Sequence, residues 1–544
     1  MTVRADIAPG RLPQVAASDP AVSVFVAANA GSGKTKTLVD RVARLLLTGV
    51  QPEAVLCVTY TKAAAAEMQR RLFKELGDWA VMADGKLSET LRGLDEPTRD
   101  LARARKLFAR ALETPGGIRI TTIHAFCEKL LKRFPLEAGV SPGFTVLDDA
   151  AARTVSAKAR EDVAMAALDL PESAIGEAYR YFSVELDYRR FQEMFASFEA
   201  DRRAIRAYAE HCGFHRVGDD IWQRCGFDQE TPSVEIEAEA VARVRWGQWR
   251  RAAEALLAGT AVTDLRRGEA MQRVDEASPF AEVWAIFANK DGAPADRVAT
   301  KSVDPQAAQW LAAEQQRLAE VVERAKAARI AEASVHAVSL ALAYAQLYDG
   351  AKDALRALDF ADLLERAHAL LTVRADAAWV LFKLDGGIDH LLLDEAQDTA
   401  PEQWDILKTL TAEFFAGEKR AAGERHRTVF AVGDEKQSIF SFQGAAPERL
   451  AAETQSFGAL VGGSGRRFLQ VPLLESWRSA PEVLSFVDAV FEPPETAAGL
   501  KPAGSAAFPL QHVPTRGPGG YRLTGRTGQT HQRPWPPWPQ PPPP

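Results

Sequence analysis

Ala28-Asn29-Ala30-Gly31-Ser32-Gly33-Lys34-Thr35 decides the fold. An apolar, β-branched run, Val22 to Ala27, leads into it, and a helix-period stretch, Lys36 to Leu47, follows. The stretch fits the phosphate-cradle pattern G-x-x-x-x-G-K-[ST], with Ala28 in place of the opening glycine. Gly31 and Gly33 let the backbone bend so that several amides converge on a phosphate, and the helix behind adds its positive dipole end. At this spacing Lys34 reaches the β- and γ-phosphates and Thr35 holds Mg²⁺. The alternative is a Gly-Ser turn that happens to precede a lysine, and the flanking strand and helix argue against it.

Working outward, Leu391-Leu392-Leu393-Asp394-Glu395-Ala396-Gln397-Asp398 is an apolar strand that ends in two acids. Such an ending puts charge at the carboxyl edge of a sheet, where ligands of α/β folds bind. Asp394 is expected to contact the magnesium, mostly through water, and Glu395 to orient and deprotonate an attacking water. The alternative is a solvated strand end with Asp398 and Thr399 capping a helix. Alone the two readings balance; beside the phosphate loop the catalytic one prevails.

Two further elements complete the set. In Val432-Gly433-Asp434-Glu435-Lys436-Gln437-Ser438, Gln437 is suited to sense a γ-phosphate. Phe440 and Phe442 follow; in an extended stretch both rings face one side, as a stacking platform for bases requires, or else they are core residues. In Leu474-Glu475-Ser476-Trp477-Arg478-Ser479, Arg478 is a candidate for transition-state charge and Trp477 for stacking on adenine. The alternative is a surface arginine beside a half-buried tryptophan.

Short strands are expected at Val22 to Ala27, Val55 to Thr59, Ile118 to Thr122, Leu391 to Asp394, Thr428 to Val432 and Phe468 to Leu473, with helices such as Ala63 to Leu76 between them. The alternation predicts a parallel sheet covered on both faces. From Ala150 to Asp349 the strand signal fades into Ala-, Glu- and Arg-rich helical periodicity, with one or two long helices over Gln306 to Leu347. Phe214 to Ser302 has too weak a period to assign. At 544 residues several domains are expected.

The formal charge of -7 means that any nucleic-acid contact must come from a local groove rather than from the overall field. No apolar run of roughly 18 residues stands out and no signal-peptide pattern opens the chain, so a cytosolic protein without a membrane partner is expected. The 4 cysteines form no disulfide framework, and the spacing of His211, Cys212, His215 and Cys225 fits no standard zinc pattern. Gly504 to Pro544 lacks Asp, Glu and Lys and ends in Trp-Pro runs, which predicts disorder, with a polyproline ligand as the functional alternative.

These four elements, in this order, resemble superfamily 1 DNA helicases of the UvrD/Rep/RecB type. Finer details resemble the AddA branch of helicase–nucleases, in the stretches Ala28-Asn29-Ala30-Gly31, Glu113 to Gly117, Thr122 to Pro135 and Leu384 to Asp389. The resemblance covers residues 12 to 503. It implies that Gln14 reads adenine and Arg41 packs near the base. It implies DNA contacts at Thr59, Tyr60 and Thr61 (motif Ia), at Thr122 and His124 (motif Ib), and at Phe440 and Phe442. Leu358 to Leu363 matches the segment before motif II.

The implied architecture is α/β. A RecA-like first domain, 1A, spans 1–149 and 350–467, a 1B-like helical insertion spans 150–349, a second RecA-like domain, 2A, begins over 468–503, and a disordered tail spans 504–544. The implied cofactors are ATP and Mg²⁺, and the implied partners are single-stranded or double-strand-end DNA and an AddB-like partner protein in the bacterial cytoplasm. The implied activity is 3′-to-5′ translocation in double-strand-break repair. Motifs V and VI and the nuclease are not found, and the pattern is left near Ala503, as in a fragment or a frameshifted or prematurely ended product. Gln443 stands where many relatives place an arginine. Two other readings stay open: a catalytically incomplete ATP- and DNA-binding module, and a single-chain UvrD-type repair helicase.

Overall fold

The computed structural model describes residues 12–96, 100–385, 387–415, 426–438, 446–498 and 512–515. The chain forms two compact units, one of residues 1–146 with 358–544 and one of Leu147–Ala357.

The first unit is built on a six-stranded sheet. Its strands are β1 (Ser23–Ala28), β2 (Val55–Thr59), β3 (Arg119–Thr122), β4 (His390–Leu393), β5 (Thr428–Gly433) and β6 (Phe468–Leu473). Their spatial order is β3-β2-β4-β5-β1-β6, and every pairing is parallel. Parallel strands need crossovers, and helices cover both faces of the sheet. Side chains alternate between two cores. Phe25, Leu56, Val58, Leu391, Leu393, Val429 and Ala431 enter one, while Val24, Val26, Cys57, Leu392, Phe430 and Val432 enter the other. Burial on both faces is why these strands read as continuous apolar runs.

Three helices start at the carboxyl edge of this sheet: α1 (Lys34–Thr48), α2 (Lys62–Val81) and α3 (Ile123–Arg133). Thr61 caps α2, its hydroxyl accepting from the Ala64 amide at 3.0 Å, and Thr122 caps α3 through the Ala125 amide at 3.3 Å. At the far end of α1, Gly49 is left-handed, and the Val50 and Gly49 amides close on Leu45 and Leu46.

The expectation that residues 468–503 open a second α/β domain is corrected at its start. The strand Phe468–Leu473 is the sixth of the first sheet, paired with β1 from Ser23↔Phe468 to Ala28↔Leu473. Nor is the tail wholly without structure, because Val513–Pro514 pairs in parallel with Glu475–Ser476.

The second unit is helical, and its spine is α4 (Pro305–Ala354), a single helix of 50 residues, about 75 Å long at 1.5 Å per residue. Asp304 caps it and Pro305 fills its first turn. Three cores follow one another along it. Leu311 and Leu318 join the first, Ala325, Ala328 and Ala331 the second, and Leu340, Ala341, Tyr344 and Tyr348 the third. One 18-residue window of α4 reaches a mean hydropathy of 1.2, against the expectation that no such run exists. The buried side chains of α4 pack within this unit, as those of a core helix do. The stretch Phe214 to Ser302, unassignable by period, contains Val217–Arg224, Ser233–Ala242, Trp246–Leu257, Val262–Gln272 and Phe280–Ala285, helices too short to show one.

A buried polar cluster sits at the amino edge of the sheet. His390 is 0% exposed, and its Nδ1 lies 2.8 Å from the Thr428 hydroxyl. Burial, then Arg41 and His426, push its pKa down to about 3. An unfolded imidazole protonates near pH 6.5, whereas the folded one resists until about 3. Stability is therefore full above about pH 6.5 and is lost as pH falls towards 3, by up to about 1.4 kcal/mol per pH unit. Thermal melts across that window are expected to show a shallower acid slope for His390→Gln than for the parent chain; equal slopes would assign the loss to other groups.

Candidate functional site

Each strand of the sheet delivers a candidate residue to the carboxyl edge. After β1, the loop turns through Gly31 (φ 74) and Gly33 (φ 90), both left-handed, and α1 begins at Lys34. Asn29 is buried; its amide donates to the Leu473 carbonyl at 3.2 Å and its carbonyl accepts from Ser32 at 3.3 Å. Ala28 closes β1 and is buried, whereas Ala30 is exposed and Thr35 half-buried. The structure thus builds the cradle expected of residues 28 to 35.

Asp394 and Glu395 follow β4, next to that cradle. The Lys34 Nζ stands 3.0 Å from Glu395 Oε2. Glu395 adopts a left-handed backbone (φ 50), a strained state that costs a non-glycine residue about 1–2 kcal/mol and concentrates at functional sites. Asp394 is 6% exposed. Burial first, and Glu395 second, push its carboxyl up to about 6, with Lys34 opposing. Its Oδ1 is buried without a hydrogen-bond partner, as is the Ser32 hydroxyl. Orphaned buried polar atoms call for an explanation. A magnesium ion and a phosphate oxygen supply one that suits this donor set of one carboxylate and the nearby Thr35 hydroxyl, since Mg²⁺ takes few protein ligands and leaves the rest to water and phosphate.

A continuous hydrogen-bond path leads from Glu395 to Gln437. Gln397 Nε2 donates to Glu395 Oε2 at 2.8 Å, and Gln397 Oε1 accepts from the Asp434 amide, also at 2.8 Å. Asp434 in turn accepts from Gln437 Nε2. Gln397 is 2% exposed. Its approach also explains Gly433, where a Cβ would meet Gln397 Oε1 at 2.8 Å. The sequence reading gave Gln397 and Asp434 no role. The available signal was polarity: two polar residues in segments otherwise closed to water must bond to something.

The cover of the cradle comes from the residues after β6. The Trp477 amide donates to the Gly31 carbonyl at 2.9 Å. Arg478 is exposed, and its Cβ lies 2.6 Å from where a Cβ on Gly31 would stand. The Trp477 ring is 55% exposed. Gln14, in the helix Pro13–Ala17, donates to the Glu475 carboxylate. Gln14, the loop, Asp394, Glu395, Gln437, Trp477 and Arg478 all belong to the first unit.

Arg41 is not brought to this site. It is 0% exposed. Its guanidinium donates to the carbonyls of Ala17 (3.2 Å), Asp19 (2.7 Å) and Val22 (2.6 Å) and to the Thr428 hydroxyl (3.1 Å). Val22 and Thr428 mark the amino ends of β1 and β5, the opposite edge from the cradle, so Arg41 serves the fold.

Thr59 and Thr122 are direct partners across β2 and β3 at the carboxyl edge. The Thr59 hydroxyl donates to the Thr61 carbonyl at 3.1 Å, and Thr61 and Thr122 spend their hydroxyls on helix caps. Tyr60 is half-buried, and burial, with Asp398 nearby, raises its phenol pKa. His124 meets Phe360 edge-on at 5.2 Å. Phe440, Phe442 and Gln443 lie outside the described residues.

Comparison with known proteins agrees with this geometry. The family profile described as UvrD/REP helicase N-terminal domain matches residues 13–458. Among curated relatives, the AddA protein of an ATP-dependent helicase/nuclease in Latilactobacillus sakei is 24% identical over 537 residues, covering 88% of this chain and 54% of the relative. The same-named protein of Pelotomaculum thermopropionicum is 26% identical over 507 residues, covering 86% and 37%. That of Listeria monocytogenes serotype 4b is 24% identical, covering 86% and 38%. The chain thus spans between about a third and about half of the length of these relatives.

Proposed function

Because the chain belongs to the UvrD/REP helicase family, we propose that it binds ATP with Mg²⁺ and couples its hydrolysis to 3′-to-5′ movement along single-stranded DNA, as the corresponding part of an AddA-like helicase–nuclease. The observation that carries the reading is the 3.0 Å pairing of Lys34 with Glu395, which joins a phosphate cradle to a strand-end acid in one cleft. Lys34 would neutralise β- and γ-phosphate charge, Asp394 and Thr35 would hold the ion, and Glu395 would take the proton of the attacking water. Arg478 would add charge at the transferred phosphoryl, and Gln437, linked to Glu395 through Gln397 and Asp434, would report its loss.

DNA would run along the carboxyl edge past Thr59, Tyr60, Thr61, Thr122 and His124, with Phe440 and Phe442 stacking bases. The wider setting belongs to the same proposal: resection of double-strand breaks with an AddB-like partner in the bacterial cytoplasm. The deciding experiment is ATP hydrolysis by the full chain with and without single-stranded oligonucleotide, followed by unwinding of duplexes with 3′ or 5′ tails. Stimulation by DNA and a 3′-tail preference are expected. ATP and DNA binding without turnover would favour the incomplete binding module, and 5′-tail preference would refute the polarity.

The loop supplies a further expected outcome. Alanine at Gly31 would be held at φ 74 with its Cβ 2.6 Å from that of Arg478. The left-handed backbone alone costs about 1–2 kcal/mol. Gly31→Ala is expected to weaken ATP binding by about tenfold or more in a fluorescent-nucleotide titration. Unchanged affinity would mean that Arg478 does not rest on the loop.

A further inference from the structure

We infer that Glu475 selects the nucleobase by locking the side-chain amide of Gln14. The inference rests on the nucleotide reading above and adds base specificity to it. Gln14 lies in the helix Pro13–Ala17, which packs against β6, and its Nε2 donates to Glu475 Oε2. An ionised carboxylate accepts hydrogen bonds and donates none, so Gln14 has to turn its NH₂ towards Glu475. The flipped rotamer would set two acceptor oxygens against each other. Which way the amide faces is therefore set by chemistry.

Glu475 is itself held. Its backbone belongs to the strand Glu475–Ser476, paired with Val513–Pro514, and the neighbouring Ser476 is 0% exposed. One residue further, the Trp477 amide grips the Gly31 carbonyl, and the Trp477 ring is left 55% exposed. A base stacked on that ring would have its polar edge read by the Gln14–Glu475 pair. With the amide locked, Gln14 offers its carbonyl oxygen, together with the second proton of its NH₂. That pattern suits a 6-aminopurine, which presents N6–H as donor and N7 as acceptor. A 6-oxopurine presents two acceptors there, and accommodating it would require the flip that Glu475 forbids.

The test is competition between ATP and inosine triphosphate, which carries an oxo group where ATP has its amino group, for the full chain loaded with a fluorescent ATP analogue. This readout requires no turnover. The parent chain is expected to prefer ATP by about tenfold or more, since a site built on a hydrogen bond rejects the analogue that cannot make it. In Glu475→Gln the neighbouring amide can turn as well, and the preference is expected to shrink to about threefold or less. The exchange variant, Gln14→Glu with Glu475→Gln, restores an amide–carboxylate pair with a fixed acceptor at position 14, and the preference is expected to return.

A parent chain without preference, a ratio that does not move in Glu475→Gln, or an equal loss of both nucleotides in the two variants would overturn the inference. Failure of the parent chain to bind either nucleotide would overturn the nucleotide reading itself, and the base assignment with it. Binding with an unmoved ratio overturns the base assignment alone.

Discussion

Lys34→Ala is expected to abolish DNA-stimulated ATP hydrolysis, with kcat/KM lower by at least about 10²–10³-fold. Lys34 is 12% exposed at the first turn of α1, with its Nζ 3.0 Å from Glu395 Oε2. In that position it answers two sets of charge. It faces the phosphates that the cradle receives, and it offsets the acids after β4. Asp394 is already pushed up to about 6 by burial and by Glu395, and Lys34 acts against that rise. Without the lysine the carboxyl that should meet the ion moves further towards its neutral form, so phosphate binding and ion binding fail together. A coupled ATPase assay across ATP concentrations, with single-stranded DNA affinity measured in parallel, checks this. Turnover near the parent level would contradict the assignment.

Glu395→Gln is expected to separate binding from chemistry. Glutamine keeps the shape, and its Oε1 still accepts from Gln397, so the path through Asp434 to Gln437 stands. It cannot take a proton. Hydrolysis is expected to fall by about 10²–10⁴-fold, the usual worth of a general base, while affinity for ATP is kept. Single-turnover hydrolysis beside a nucleotide titration reads both. Loss of affinity and rate together would make Glu395 a phosphate-site residue, and an undiminished rate would place the base elsewhere.

The sheet was legible because its strands are buried on both faces. Val55 to Thr59 and Leu391 to Leu393 carry apolar side chains into both cores, and no other element writes so short and dense a run. The loop was legible because phosphate chemistry constrains residue type at fixed spacing. What stayed hidden depends on pairing between distant segments. Nothing local in Phe468 to Leu473 says that its neighbour is Ser23 to Ala28, so the strand was assigned to the wrong sheet.

Arg41 misled for a geometric reason. It lies seven residues after Lys34, on nearly the same face of α1, but about 10 Å further along the axis, where carbonyls rather than a ligand await it. Gln397 was overlooked because polarity within a motif looks like exposure until burial is known.

The order β5-β1-β6 has a mechanical meaning. The strand that carries the phosphate loop and the strand that leads to Trp477 are clamped side by side, so tension applied to the polypeptide past Arg478 has a leash of only a few residues before it reaches Gly31. A pull there would be felt as strain on one loop carbonyl, and conversely a shift of that carbonyl on nucleotide release would tug on whatever is tethered downstream.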